Sequence, residues 1–193
     1  MSTRYRLIVI GGSAGATAAL TKLLPVFPAA YPLPIVVVQH LHPLQDGAFI
    51  ERFASRCALT VKEADDKEMI KASHIYFAPS NYHLLIEEDK SFSLSIDEKV
   101  NYTRPSIDVL FASAVDAYGS GLIGVILTGA NHDGAQGLRL IKERGGLTIV
   151  QDPRTAASAY MPRAALEATA ADHILSLQDI GRLLLEMPQK GVV

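Results

Sequence analysis

Hydrophobic and polar positions along this 193-residue chain fall into two alternating kinds of segment. Continuous apolar runs, rich in β-branched residues, begin near residues 6, 34, 122 and 147 and extend to 12, 43, 129 and 152. Runs without polar alternation are typical of strands covered on both faces, as in parallel sheets. Helix-like segments follow them at 17–27, 46–58, 106–119, 134–146, 161–170 and 177–187. The pattern predicts an α/β fold with a doubly wound, mostly parallel sheet and flanking helices.

The segment 74–96 breaks this alternation. Its short apolar stretches are separated by APSN and EEDKS, which predicts one or two antiparallel hairpins inserted into the domain. Asp46 and Ser106 suit the N-caps of two predicted helices, and Gly119 follows the end of the second. We find no linker, low-complexity stretch or internal repeat in the sequence, so we interpret the chain as one domain.

Composition narrows the class of protein. The formal net charge of −2 lacks the basic excess of nucleic-acid-binding proteins. The single cysteine, Cys57, excludes an intrachain disulfide and indicates a reducing compartment. The first apolar run ends at Gly11, too early for a signal peptide or a membrane span, and no later run is long enough for a span. We therefore expect a cytoplasmic protein that binds no nucleic acid and does not insert into membranes.

Polar residues follow the predicted strands at the sheet edge where ligands of such folds bind. Ser13 follows the first strand, His40 and His42 follow the second, and Asp133 lies in the loop after the third. A serine, a histidine and an aspartate are the components of a nucleophile, a general base and an orienting carboxylate. A catalytic triad is therefore one hypothesis for this edge.

Residues 11–15, GGSAG, fit the G-x-S-x-G strand–turn–helix pattern that exposes a nucleophilic serine. A phosphate-binding loop and a purely structural turn are the alternatives. A Walker loop ends in Gly-Lys-Ser/Thr, but the first lysine is Lys22, and the dinucleotide fingerprint requires glycine at positions 13 and 16. Taken alone, the motif leaves nucleophile and structural turn open.

The other two loops have alternatives as well. His40 and His42 point the same way from an extended chain, and with His132 and Asp133 they supply the ligand types of a zinc site. No regular ligand spacing supports this metallohydrolase hypothesis. Asp133 also suits the N-cap of the helix predicted at 134–146, a role compatible with that of a triad acid.

Six segments stand in order from about residue 5 to residue 185: GGSAG, QHLHP, YFAPSNYHL, RPSIDVLFASA, GVILTGANHDGAQGL and MPRAAL. Together they resemble the catalytic domain of the bacterial chemotaxis methylesterase (CheB) family. The resemblance implies Ser13 as nucleophile, His40 as base and Asp133 as acid, with no cofactor and no metal. It further implies oxyanion donors at the N–H groups of Ala14 and Ala130.

The same resemblance implies a substrate and a partner. Members of the family remove methyl groups from glutamate methyl esters on the cytoplasmic domain of chemoreceptors, and often deamidate receptor glutamines. A non-catalytic receptor-binding or scaffold protein of the same fold is the alternative from another class.

The chain departs from the usual family pattern near the expected nucleophile. Ala14 and Ala16 stand around Gly15 where threonine and a second glycine are common, and His42 often is proline. Ala130 stands where methionine is usual. Because backbone N–H groups form an oxyanion hole, these alanines need not abolish it, although they change the side chains that meet a substrate.

Arg104 and Arg163, in TRPSID and MPRAA, match family positions. The resemblance leaves two roles open for them: contact with an acidic receptor surface, or structural support. Full-length chemotaxis esterases usually begin with a receiver domain and a linker, whereas here the first catalytic strand begins within the first few residues. We therefore expect 1–193 to be a single methylesterase-like catalytic domain without a receiver domain, either a stand-alone protein or a fragment.

Overall fold

The computed structural model describes residues 5–40 and 48–188. Its strands are β1 (Leu7–Gly12), β2 (Ile35–Gln39), β3 (Thr60–Glu63), β4 (His74–Phe77), β5 (His83–Ile86), β6 (Phe92–Ser95), β7 (Leu122–Ile126), β8 (Leu147–Gln151) and β9 (His173–Leu175). Its helices are α1 (Ala16–Leu23), α2 (Ala48–Ala54), α3 (Ile107–Tyr118), α4 (Ala135–Glu143), α5 (Tyr160–Ala168) and α6 (Leu177–Glu186).

Seven strands form one parallel sheet in the order β3-β4-β2-β1-β7-β8-β9. At the centre, Gly12 of β1 lies beside Gln39 of β2, and Gly11 lies beside Ile126 of β7. β2, β3 and β4 all lie on one side of β1, and the chain then crosses to the other side of β1 at β7. The carboxyl ends of these three strands therefore meet, and the predicted doubly wound α/β fold is confirmed.

The hairpin prediction for 74–96 is correct only in its second part. β5 and β6 pair antiparallel, with Ile86 opposite Phe92, but β4 joins the parallel sheet between β3 and β2. β4 is a covered strand, since Ile75 and Tyr76 are fully buried. The sequence pattern predicts no strand at β3, because this edge strand has exposed and half-buried residues and lacks a continuous apolar run.

Two hydrophobic cores lie on the opposite faces of the sheet. Ile8 and Ile10 of β1 face the core that includes residues of α1 and α6, whereas Leu7 and Val9 face the core that includes residues of α3. Successive residues of a strand point to opposite faces, so a strand covered on both faces is apolar at every position. This is the physical reason for the unbroken apolar runs in the sequence.

Two glycines let α3 approach the centre of the sheet. Ser106 is the N-cap of α3, as predicted, and Ile107 is its first residue. A Cβ atom on Gly11 would lie 2.4 Å from Ile107 Cγ2, and one on Gly134 would lie 2.6 Å from the same atom. The missing side chains therefore bring the N-terminus of α3 against the end of β1 and the loop after β7.

Three expectations concern other parts of the chain. Asp46 and His42 lie outside the described residues. Cys57 is half-buried against one core, and burial raises the pKa of its thiol, which fits its interpretation as a small hydrophobic residue. Within 5–40 and 48–188, no helix has the length and apolar character needed to cross a bilayer.

Replacing Gly11 with alanine should lower the free energy of unfolding by about 1–3 kcal/mol, because the new methyl group overlaps a buried β-branched side chain. Gly181→Ala is the matched control: its Cβ would lie 3.4 Å from Leu23 Cδ1, an ordinary contact. Alanine in place of this α6 glycine should add up to about 1 kcal/mol. Urea unfolding of both variants measures the two effects, and a Gly11→Ala protein as stable as the wild type would contradict the packing described for α3.

Candidate active site

Ser13 lies in the turn between β1 and α1. Its N–H donates to the carbonyl oxygen of Thr128 at 3.0 Å, which ties this turn to the loop after β7. Gly15 has a φ of 82°, and a Cβ atom there would lie 2.7 Å from Ala157 Cβ, so the turn requires glycine. Ser13 Oγ makes no hydrogen bond within the described part of the chain. The half-buried hydroxyl is therefore available to a ligand at this edge.

His40 is the first residue after β2, the strand next to β1. Its N–H donates to the carbonyl oxygen of Gly12 at 3.1 Å, so the histidine backbone is bonded to the residue that precedes Ser13. Its side chain is 11% exposed, and Nε2 lies 2.9 Å from Oδ2 of Asp133. The structure thus joins the predicted base to the predicted acid, on the neighbouring strand to the predicted nucleophile.

Asn131 defines which ring nitrogen of His40 is basic. Its Nδ2 lies 3.3 Å from His40 Nδ1, and its Oδ1 accepts the N–H of Asp133 at 3.1 Å. The second contact identifies the oxygen end of the amide, so the NH₂ group faces His40 and donates to Nδ1. The neutral ring therefore carries its proton on Nε2, towards Asp133, and Nδ1 is the atom that can accept a proton.

The carboxylate of Asp133 is fully buried and is bound by His40 and by donors from α3 and from the turn before it. The donors to Oδ1 are Ser106 Oγ (2.8 Å), Asn101 Nδ2 (2.8 Å) and Asp108 N (3.2 Å), and those to Oδ2 are Ile107 N (2.6 Å), His40 Nε2 (2.9 Å) and Thr103 Oγ1 (3.3 Å). Two of these donors are backbone N–H groups of the first turn of α3, where the helix dipole favours a negative charge.

The prediction that Asp133 caps the helix at 134–146 is wrong in one respect. Gly134, with a φ of 95°, is the N-cap of α4, and no side chain caps that helix. The carboxylate instead accepts the N–H of Ile107, the first residue of α3, which lies 26 residues earlier in the chain. Sequence proximity favoured α4, whereas the approach of α3 past Gly11 and Gly134 brings a different helix to the same carboxylate.

Hydrogen bonding determines the charge of Asp133. Burial by itself raises the pKa of this carboxyl group, but the bonds from His40, Asn101, Ile107 N–H and Ser106 outweigh it, so the pKa lies below its ordinary value. Asp133 is therefore ionised at neutral pH. An ionised, immobilised carboxylate against Nε2–H can hold the ring in one tautomer and stabilise the imidazolium that forms when Nδ1 takes a proton.

The two residues predicted as oxyanion donors lie on the loops that meet at Ser13. Ala14 and Ala130 are both exposed, and their N–H groups donate no hydrogen bond to other described residues. Thr128 holds the two loops together, because its Oγ1 donates to the carbonyl oxygen of Ala14 at 2.9 Å. Unpaired N–H groups on a fixed backbone are suited to stabilising a developing negative charge.

The two arginines differ in their surroundings. Arg104 Nη1 donates to the carbonyl oxygens of Ile96 (2.7 Å) and Asp97 (2.9 Å), which favours structural support. Arg163 is exposed on α5, two residues after Met161. The N–H of Met161 donates to the carbonyl oxygen of Gly129. Its side chain has no ion pair or hydrogen bond with other described residues, which favours contact with a ligand.

The metal alternative has little geometric basis in the described residues. In 5–40 and 48–188, no three His, Cys, Asp or Glu side chains are grouped so as to hold an ion, and His42 lies outside these ranges. A cavity of about 690 Å³ lies between α1 and α6, lined in part by Lys22, Gln151 and Arg182. Its lining contains none of Ser13, His40 and Asp133, although it includes Gly15 and Thr128 beside the serine turn.

Sequence reasoning missed Asn101, Thr103 and Asn131, and it identified Ser106 only as a helix cap. Ser106 Oγ does accept the N–H of Val109, at 3.4 Å, and it also donates to Asp133. Asn131 lies two residues before Asp133, a spacing that favours a local side chain–backbone bond. For Asn101 no local signal exists, since its partner follows 32 residues later.

Comparisons with known proteins bear on the fold and the family of the chain. A family model described as CheB methylesterase matches residues 8–184. A protein of Leptospira interrogans named "Putative protein-glutamate methylesterase/protein-glutamine glutaminase" is 53% identical over 188 residues, covering 97% of both chains. The crystal structure of the Thermotoga maritima CheB methylesterase catalytic domain matches with a TM-score of 0.90 and 37% identity, covering 94% of this chain and 98% of that one.

Other curated relatives are longer. The Vibrio vulnificus "Protein-glutamate methylesterase/protein-glutamine glutaminase 2" is 39% identical over 96% of this chain, which covers 55% of the relative. A Pseudomonas putida relative with the same two activities in its name is 38% identical and is covered to 49%. The chain thus spans about half the length of these proteins.

Asp133→Asn should lower the free energy of unfolding at pH 7 by about 1–3 kcal/mol, because an amide nitrogen then faces buried donors. Since folding lowers the pKa of Asp133, its stabilising contribution is complete above the ordinary aspartate value of about 4 and is lost as the pH falls through the lower folded pKa. The difference between wild type and variant should therefore hold from pH 7 to about pH 4 and shrink between about pH 4 and pH 2. Urea unfolding across that range measures it.

Asp116→Asn is the control for this series, because Asp116 is 72% exposed and lies 4.0 Å from its ion-pair partner Arg144. It should change stability by less than about 0.5 kcal/mol at every pH. A loss for Asp133→Asn that stayed constant down to pH 2 would rule out the ionised, hydrogen-bonded carboxylate.

Proposed function

This chain belongs to the CheB methylesterase family, and we propose that it hydrolyses glutamate methyl esters on the cytoplasmic domain of chemoreceptors. The names of its relatives join this activity with glutamine deamidation, so we extend the proposal to receptor glutamines. The observation that carries it is the 2.9 Å contact between His40 Nε2 and Asp133 Oδ2, one strand from Ser13. We further propose that residues 1–193 act as one catalytic domain, in the cytoplasm.

In the first half-reaction, the Asn131 amide leaves Nδ1 of His40, and Ser13 Oγ attacks the γ-carbonyl carbon of the ester while Nδ1 accepts the hydroxyl proton. The imidazolium is stabilised by Asp133 across Nε2–H. The N–H groups of Ala14 and Ala130 bind the oxyanion of the tetrahedral intermediate, each worth about 3–4 kcal/mol. The intermediate collapses, the methoxy group takes the proton from Nδ1, and methanol leaves an acyl-serine.

Water completes the cycle by the same route. Nδ1 of His40 accepts a proton from water, the resulting hydroxide attacks the acyl carbon, and Ser13 Oγ leaves with the proton. The product is a glutamate carboxylate. With a glutamine side chain, the leaving group is ammonia in place of methanol, and the other steps are unchanged. His40 acts once as base and once as acid in each half-reaction.

Ser13→Ala should abolish methanol release from methylated receptor and leave stability within about 0.5 kcal/mol of wild type, because the hydroxyl has no described hydrogen bond to lose. Labelling with diisopropyl fluorophosphate, followed by peptide mapping, should modify Ser13 in the wild-type protein. His40→Ala should prevent that labelling. Methanol release by Ser13→Ala at the wild-type rate would disprove the role of Ser13 as nucleophile. Receptor binding by the wild type without any turnover would favour the scaffold alternative.

We also propose Arg163 as a substrate-contacting residue, since it is exposed on α5, two residues after Met161, whose N–H donates to the carbonyl oxygen of Gly129. We propose a structural role for Arg104, through its bonds to the carbonyl oxygens of residues 96 and 97. A cation at the rim of the site is suited to the acidic surface around receptor glutamates.

Arg163→Ala should raise KM for methylated receptor about 3- to 10-fold with little change in kcat, an effect that weakens with added salt because exposed charges are screened. The matched control is Arg139→Ala, which removes an equally charged, 48% exposed side chain from α4. Kinetics at two ionic strengths separate the variants. Identical KM values for Arg163→Ala and Arg139→Ala would exclude a specific contact.

A further inference from the structure

Asn101 connects the acid of the proposed triad to a second carboxylate. Its Nδ2 lies 2.8 Å from Asp133 Oδ1 and 2.8 Å from Asp108 Oδ2. An amide NH₂ group has two hydrogens, so each one donates to a different carboxylate. The other oxygen of Asp108, Oδ1, accepts the N–H of Gly137 on α4 at 2.7 Å. The Asn101 amide thus lies between two carboxylates, of which Asp133 is fully buried and Asp108 is half-buried.

Two neighbouring carboxylates in such surroundings repel each other and tend to share a proton. Burial raises the pKa of Asp108, and the charge of Asp133 raises it further, while the bonds from Gly137 N–H and Asn101 oppose the shift. The charged or titratable groups facing Asp133 among the described residues are His40 after β2 and Asp108 on α3. Every other described donor to Asp133 is neutral, so Asp108 is the neighbouring negative charge against which Asp133 must stay ionised.

The backbone holds the Asn101 amide in place. Val100 and Thr103 exchange two backbone hydrogen bonds (3.2 and 2.9 Å) around a two-residue turn in which Asn101 and Tyr102 have φ values of 52° and 64°. Asparagine is one of the few residues with a side chain that tolerates this region. The turn therefore fixes the backbone of Asn101, and the two carboxylates hold its amide.

We propose that Asn101 is a positioning residue, which keeps Asp133 ionised and directed at His40 in the presence of the second carboxylate, Asp108. It touches no substrate and acts through Asp133. The proposal rests on the proposed function, in which Asp133 is the acid of a serine hydrolase.

Asn101→Gly removes the amide and keeps the turn, because glycine adopts positive φ without strain. It should lower kcat about 10- to 100-fold, a part of the 10²–10⁴ that positioned acid–base catalysis contributes, with KM within about 2-fold. The rate of Ser13 labelling by diisopropyl fluorophosphate should fall in parallel. The loss of labelling at low pH should begin at a higher pH than in wild type, because Asp133 has lost a donor to its charged form.

Asp108→Asn provides the decisive comparison. In the wild-type background it places an amide nitrogen against Asn101 Nδ2 or Gly137 N–H, so labelling should slow. In the Asn101→Gly background the new amide can keep its oxygen on Gly137 and turn its NH₂ towards Asp133, so labelling should recover at least about 3-fold. If Asn101 has a purely structural role, the losses in labelling rate caused by Asn101→Gly and by Asp108→Asn should add in the double variant.

Tyr102→Ala is the matched control, since Tyr102 lies in the same turn with its side chain 93% exposed. Its labelling rate should equal that of wild type. Near-ultraviolet circular dichroism checks the fold of each variant; if Asn101→Gly does not fold, Asn101→Ser replaces it, with a smaller loss and the same rescue expected.

The outcomes separate the two proposals. Wild-type protein without label at Ser13 would overturn the proposed function, and with it the premise here. If the wild type is labelled, two results would overturn the role of Asn101 alone. One is an Asn101→Gly variant that is labelled at the wild-type rate with the wild-type pH dependence. The other is an Asn101→Gly variant whose labelling Asp108→Asn does not rescue.

Discussion

The candidate active site depends on one buried anion, the carboxylate of Asp133. Six donors surround it, and they come from four places in the chain: His40 after β2, the 100–103 turn, the Ser106 cap and the first turn of α3. A buried carboxylate without such partners would be protonated or would destabilise the fold. Because its partners include both a helix N-terminus and the imidazole, the interaction that stabilises the fold at this point also orients the base.

Close backbone approach makes that arrangement possible. Ile107 lies against Gly11 of β1 and Gly134 before α4, at distances that exclude a methyl group on either glycine. The N-terminus of α3 therefore lies next to the end of β1, where Ser13 begins its turn. In the same way, Gly15 lets the serine turn pass Ala157 and Thr128. Small residues at these contacts bring three loops to within hydrogen-bonding distance of one another.

The relation between the sequence-based predictions and the structure follows from the range of each interaction. Covered strands, the Ser106 cap and the strand-end positions of Ser13 and His40 depend on local pattern, and the sequence predicted them. β4 was assigned to a hairpin because four residues give no indication of whether their hydrogen-bonding partner is adjacent or distant. Asp133 was assigned to the nearer helix for a similar reason.

The sequence by itself determined the fold class, the edge of the sheet that carries the polar residues and, through six matching segments, the family and its three candidate catalytic residues. Only the tertiary structure decided that the proton of neutral His40 lies on Nε2, that Asp133 serves α3, and that one asparagine amide links Asp133 to Asp108. Hydrophobic periodicity is a property of neighbouring residues, which the sequence contains. A hydrogen bond between residues 32 or 91 positions apart depends on how the folded layers meet, which no local pattern encodes.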